Sequence, residues 1–120
     1  MPSTRIIDTA YEEAKRSAQN HKHGAVLVRS GKIVATGHNK VTRKVPSHMF
    51  SIHAEMAAIK ASHQKCMLAD SQIYVVRVNK EMNLADSKPC ELCQRFMKHH
   101  GISRVFYSTN SGDIASMCIQ

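Results

Sequence analysis

A chain of 120 residues, 42% hydrophobic and 22% charged, supports one compact domain, residues 1–120, reads as globular rather than disordered, and would leave each of two independent cores marginal. Its formal charge of +8 favours anionic partners such as nucleotides or nucleic acid. No apolar run approaches the roughly 18 residues that cross a bilayer, which excludes a helical membrane span, and no membrane partner is expected.

Residues 1–20 carry Glu12, Glu13, Lys15 and Arg16 in a helical pattern, not a secretory leader. The expected location is therefore the reducing cytoplasm, where Cys90 and Cys93 point to metal or redox chemistry before a disulfide framework. Ile7, Ala10, Tyr11, Ala14 and Ala18 recur at helical spacing, which predicts a first helix capped by Ser3 or Thr4. Two apolar runs, 25–28 and 33–36, flank Ser30-Gly31-Lys32 and predict a hairpin.

Ala54, Ala57, Ala58 and Ala61 place a second helix over about 52–64. The β-branched run 73–78 is too short for a helix and predicts a central strand. A third helix is expected to start at Pro89 and stop at Gly101, followed by a strand at 105–107 and a turn at 110–113. Only eleven residues follow Thr109. A parallel neighbour needs a crossover of a dozen or more, so a last strand at 114–119 must return antiparallel. The order is α-β-β-α-β-α-β-β, a single mixed sheet with helices on its faces.

Chemistry concentrates in His53-Ala54-Glu55 and Pro89-Cys90-Glu91-Leu92-Cys93. One imidazole and two thiolates suit tetrahedral zinc and leave a fourth position for water. Cys90 and Cys93 lie one helical turn apart, so both sulfurs can face one ion. Each segment opens a predicted helix, whose unpaired N–H groups favour thiolate over thiol. Glu55 carries no metal in this reading; it moves protons between the water, a ring nitrogen and a departing amine. Cys-x-x-Cys alone also fits a redox pair or half of a zinc knuckle, and Cys66 and Cys118 show no spacing that would close the site with a fourth ligand.

His-x-Glu followed by Pro-Cys-x-x-Cys resembles the signature of the zinc-dependent cytidine/deoxycytidylate deaminases. The likeness extends over His23-Gly24-Ala25-Val26-Leu27-Val28, Gly37-His38-Asn39, Ser87-Lys88 and residues 101–108. It implies a three-layer α/β/α domain with a five-stranded mixed sheet, one zinc on His53, Cys90 and Cys93, and Glu55 as the catalytic residue. It further implies that Asn39 binds sugar or base, that the Ala54 backbone holds the base edge, that the Lys88 carbonyl accepts from the leaving amine and that His23 walls the base. The alternatives are a strand end for Asn39 and a strand entrance for His23. The remaining histidines, His38 among them, read as surface or packing residues.

The implied activity is hydrolytic deamination of a cytosine nucleoside or nucleotide by a homo-oligomer whose neighbours help close each pocket. A histidine as first ligand resembles the nucleotide, nucleic-acid and nucleobase branches, whereas an antiparallel last strand resembles the free-nucleoside branch. Met56-Ala57-Ala58 departs from the x-Asn-Ala that follows His-Ala-Glu in many deoxycytidylate deaminases. Residues 40–51, with Lys40, Arg43 and Lys44, border the expected pocket and read either as a phosphate loop or as a solvated loop. The alternatives in substrate are bases within RNA or single-stranded DNA, and guanine, adenine or a related heterocycle. With no Trp and three each of Phe and Tyr, the chain offers few stacking platforms for a polynucleotide, which is not the favoured partner. An inactive zinc-binding module of the same fold is the non-enzymatic alternative, against which Glu55 argues.

Overall fold

Five strands lie side by side in the order β2-β1-β5-β7-β8, and the alternation of their side chains divides the protein into layers. The computed structural model describes residues 4–18, 21–41, 51–62 and 70–119, and among these not the side chains of residues 40, 41, 51, 52, 55, 56 and 60. The elements are α1 (Thr4–Ala14), β1 (Lys22–Arg29), β2 (Lys32–His38), β3 (Lys40–Val41), β4 (Ser51–Ile52), α2 (Ala54–Ala61), β5 (Ser71–Val78), β6 (Leu84–Ala85), α3 (Glu91–His99), β7 (Ile102–Ser108) and β8 (Ile114–Cys118).

In β1, Val26 and Val28 face α1 while Ala25 and Leu27 face α2 and α3. In β5, Tyr74, Val76 and Val78 join the α1 layer, and Ile73 and Val75 join the other. Continuous apolar runs are what a sheet covered on both faces requires. The pairing is mixed: β1 is antiparallel to β2 and β5, β5 is parallel to β7, and β8 returns antiparallel along β7. The expected order and the direction of the last strand are as observed. Tyr74 and Phe106, neighbours on adjacent strands, stack with centroids 4.5 Å apart in the α1 layer.

Helix positions are set by glycine. At Gly24 a Cβ would lie 2.1 Å from the Ala10 carbonyl oxygen and 2.4 Å from the Ala14 nitrogen, so α1 rests its backbone directly on β1. At Gly37 a Cβ would lie 2.4 Å from the Ala58 nitrogen and 2.8 Å from Ala57, so α2 does the same on β2. Hydrogen is the only side chain that fits either approach.

Several expectations need correction. The first helix ends at Ala14, leaving Ala18 outside it and exposed, and Thr4 is its first residue; Ser3 lies outside the described residues. The second helix runs from Ala54 to Ala61 with Ser62 as C-cap, not over 52–64, and His63 and Gln64 lie outside the described residues. Pro89 does not open the third helix: Cys90 is its N-cap, and its sulfur accepts from the Cys93 N–H. A cap residue is extended and contributes its own acceptor, a role proline leaves to its successor. The helix does stop at Gly101, whose φ is 83°. The sheet gains a sixth strand, β6, beside the end of β5, and β3 and β4 form a separate two-stranded pair.

Candidate metal centre

The two helices on one face of the sheet begin at the same place. His53 is the extended N-cap of α2, and Cys90 is the extended N-cap of α3. Cys93, in the first turn of α3, is fully buried in the core cluster that also contains Ala54. The His53 Nδ1 lies 3.1 Å from the Cys93 Sγ and 3.9 Å from the Cys90 Sγ, and the three donor atoms all fall within 4.8 Å of one another. Zinc–nitrogen and zinc–sulfur bonds of about 2.0 and 2.3 Å at tetrahedral angles space such donors roughly 3.5–3.8 Å apart. The trio brackets that spacing, and its donor chemistry fits zinc. Among the described residues it is the cluster of histidine, cysteine and acidic side chains able to hold a metal ion. His53 and Cys90 are exposed whereas Cys93 is sealed in, so the site opens to one side.

A pair of buried serines fixes the approach to Cys90. Ser87 Oγ donates to the Val75 carbonyl at 2.8 Å and accepts from the Ser108 N–H at 2.8 Å. Ser108 Oγ donates to the Ala85 carbonyl at 2.6 Å and accepts from the Arg77 N–H at 3.0 Å. Each hydroxyl gives one bond and takes one, and together they lace β5, β6 and β7 to the segment that delivers Lys88, Pro89 and Cys90. Sequence patterning missed this pair; Ser87 was visible only as part of the resemblance.

Other expected site residues divide. Ala54 is fully buried at the start of α2, beside the metal trio, and Lys88 is exposed two residues ahead of Cys90. Glu55 follows in the first turn of α2, but its side chain lies outside what the structure describes, as do Cys66, Arg43, Lys44 and His48. Asn39 is buried, and its amide is engaged by backbone: Oδ1 accepts from the His23 N–H at 2.9 Å and Nδ2 donates to the His21 carbonyl at 2.6 Å. Its own backbone N–H donates to the His23 carbonyl and its carbonyl accepts from Ser17 Oγ. Asn39 thus fixes the entrance of β1 and, with it, His23. Burial holds the His23 pKa below the ordinary histidine value, opposed by a hydrogen bond with the His21 backbone and reinforced chiefly by the neighbouring Arg77 guanidinium. His38 ties β2 to α1 through Nδ1, 2.8 Å from Oε1 of the buried Glu13.

A model of the cytidine and deoxycytidylate deaminase zinc-binding region matches residues 2–109. The chain belongs to this family. Its fold is similar to that of a cytidine deaminase from Burkholderia pseudomallei, with a TM-score of 0.74 at 23% identity over 99% of this chain and 94% of that one. It is also similar to the dCMP deaminase of cyanophage S-TIM5 solved with dCMP and dUMP (TM-score 0.62, 19% identity, 92% and 85% of the two chains). A third likeness is to a bifunctional diaminohydroxyphosphoribosylaminopyrimidine deaminase/reductase from Thermotoga maritima, of which 29% is covered (TM-score 0.59, 23% identity, 88% of this chain). No curated protein sequence matches the chain. The family's zinc-binding region thus includes all three convergent donors, His53, Cys90 and Cys93. Among the described residues, no helix of this deaminase-family chain is long and apolar enough to cross a membrane.

Proposed function

We propose that this protein is a zinc-dependent hydrolytic deaminase of a small cytosine-containing nucleoside or nucleotide, converting it to the uracil form and ammonia. The observation that carries the reading is the convergence of His53 Nδ1, Cys90 Sγ and Cys93 Sγ at the N-termini of two helices, in a chain of this family. His53, Cys90 and Cys93 would hold the zinc, which would supply a water whose pKa is lowered toward neutrality.

Glu55, two residues beyond the histidine, takes a proton from the attacking water and delivers it to the ring nitrogen beside the amine-bearing carbon. A carbon–oxygen bond forms at that carbon. The same carboxyl then passes the second water proton to the exocyclic amine, the carbon–nitrogen bond breaks, and the carbon keeps its oxygen as a carbonyl while ammonia leaves. The Ala54 backbone and the Lys88 carbonyl hold the base edge and the leaving amine in this reading, and His23 walls the ring. The neutral state favoured for His23 supports its role, and the position of Ala54 directly after His53 supports the other. Asn39 acts through His23 and the β1 entrance, since its amide is engaged there.

The test is ammonia release by the zinc-loaded protein from a panel of free bases, nucleosides and nucleotides, with oligonucleotides as one arm. Cytosine substrates should be turned over, and Glu55→Gln should retain zinc and fold while losing several powers of ten in rate. Full turnover by that variant, or wild-type turnover of a purine substrate alone, would overturn the proposal.

A further inference from the structure

At the end of β5 lies a cleft of about 370 Å³, lined by His21, Arg77, Asn79, Lys80 and Glu81. Its volume falls within the roughly 300–1,000 Å³ of small-ligand sites. Arg77 follows Ile73 and Val75 on the α2/α3 face of β5, and in register it pairs with His23 on β1. The Arg77 N–H also donates to Ser108 Oγ at 3.0 Å, and Ser108 Oγ lies 2.9 Å from that of Ser87, on the segment that leads into Cys90, which ties the cleft to the metal end of β5.

The cleft is built to present positive charge. Among the described residues neither Arg77 nor Lys80 is in an ion pair. The Arg77 Nε is buried and has no hydrogen-bond partner among the described residues, while Nη2 donates to His21 Nδ1 at 2.9 Å. An imidazole that accepts at Nδ1 carries its proton on Nε2, which adds a donor. Lys80 stands on a turn held by Asn79: its Oδ1 accepts the N–H groups of Glu81 and Asn83, and its N–H meets the Asn83 carbonyl. Tyr11 Oη pins the same turn through the Met82 carbonyl at 2.8 Å. Two cationic side chains, Arg77 and Lys80, line the cleft with one carboxylate, Glu81. A guanidinium that lines a cavity and has no carboxylate partner among the described residues is a ready partner for a phosphate's oxygens.

We infer that this cleft is the phosphate subsite of the deaminase, read by Arg77 and Lys80, and that the preferred substrate is a nucleoside monophosphate. The inference rests on the proposed deaminase reading for its base but not for its charge. It also gives the phosphate an anchor in residues distinct from Arg43 and Lys44.

The experiment measures calorimetric binding and turnover of cytosine, uracil, adenine and guanine nucleosides and their 5′-monophosphates by zinc-loaded wild type, Arg77→Gln and Lys80→Gln. Lys80 is exposed on a turn, so its variant reports on charge even if Arg77→Gln disturbs folding. The monophosphate should bind more tightly than its nucleoside, and Arg77→Gln should weaken it ~10- to 100-fold and Lys80→Gln severalfold. The nucleoside should change less than twofold. If only a purine monophosphate shows this pattern, the subsite stands and the cytosine reading falls. If cytidine and CMP bind alike, or lose equally in both variants, the subsite is refuted and the cytosine reading survives.

Discussion

Ser87 and Ser108 hold the metal segment without touching the metal. The two hydroxyls are buried and satisfy four backbone groups between them. Ser87→Ala leaves the Val75 carbonyl and the Ser108 N–H without that partner inside the protein, at a cost of about 1–3 kcal/mol per group. The expected result is a loss of about 2–4 kcal/mol in urea unfolding together with weaker zinc retention against a competing chelator. Unchanged zinc affinity at reduced stability would mean that the pair supports the sheet alone. At this scale the sequence was only partly legible. His53, Cys90 and Cys93 could be read because zinc demands particular atoms at particular spacings. The Ser87–Ser108 link and the His38–Glu13 contact could not, since a buried polar side chain declares itself only through partners 21 and 25 residues away. Asn39 was read for its resemblance and is found bound to the backbone of β1.

Among the elements, legibility followed length. β1, β5 and β7 carry apolar runs that made them readable as strands, and the antiparallel return of the last strand was expected; the spatial order β2-β1-β5-β7-β8 was not, because no local pattern encodes which strands become neighbours. β3, β4 and β6 have two residues each, too few to show any period, and pair only because longer elements bring them alongside. The third helix was displaced by two residues because proline is a good start signal, yet a thiol makes the cap here. Gly37 tests how far a helix position governs the metal centre. Gly37→Ala would push against the α2 backbone at Ala57 and Ala58, within the helix that begins beside His53. The expected outcome is a drop of about 2–4 kcal/mol in stability, in the range of overpacked cores or somewhat above, and a lowered zinc content after purification. Zinc content equal to wild type would show that α2 tolerates the shift.

For the whole molecule, metal and fold are linked because the three donors join the starts of α2 and α3, which are separated along the chain by β5 and β6. Anything that binds the folded state more tightly than the unfolded one raises the melting temperature by mass action. Chelation should therefore lower the melting temperature by more than 5 °C and restore it on adding zinc, while far-UV circular dichroism at 25 °C stays near native. The second expectation follows from the α1 layer, whose cluster of Ile6, Ala10, Val26, Tyr74 and Val76 contains none of the ligands. Collapse of the spectrum on chelation would mean that the core does not hold without its ion.

Gly24 and Gly37 sit on opposite faces of one hairpin, each with a helix backbone against it. The two-stranded unit therefore acts as a spacer of fixed thickness, with α1 on one side, α2 on the other and no side chain available to cushion either. Drift at one of these positions cannot be absorbed by repacking nearby atoms; it moves a whole helix. For anyone recombining parts of related sequences, the natural cut leaves α1, the hairpin and α2 as one inherited block.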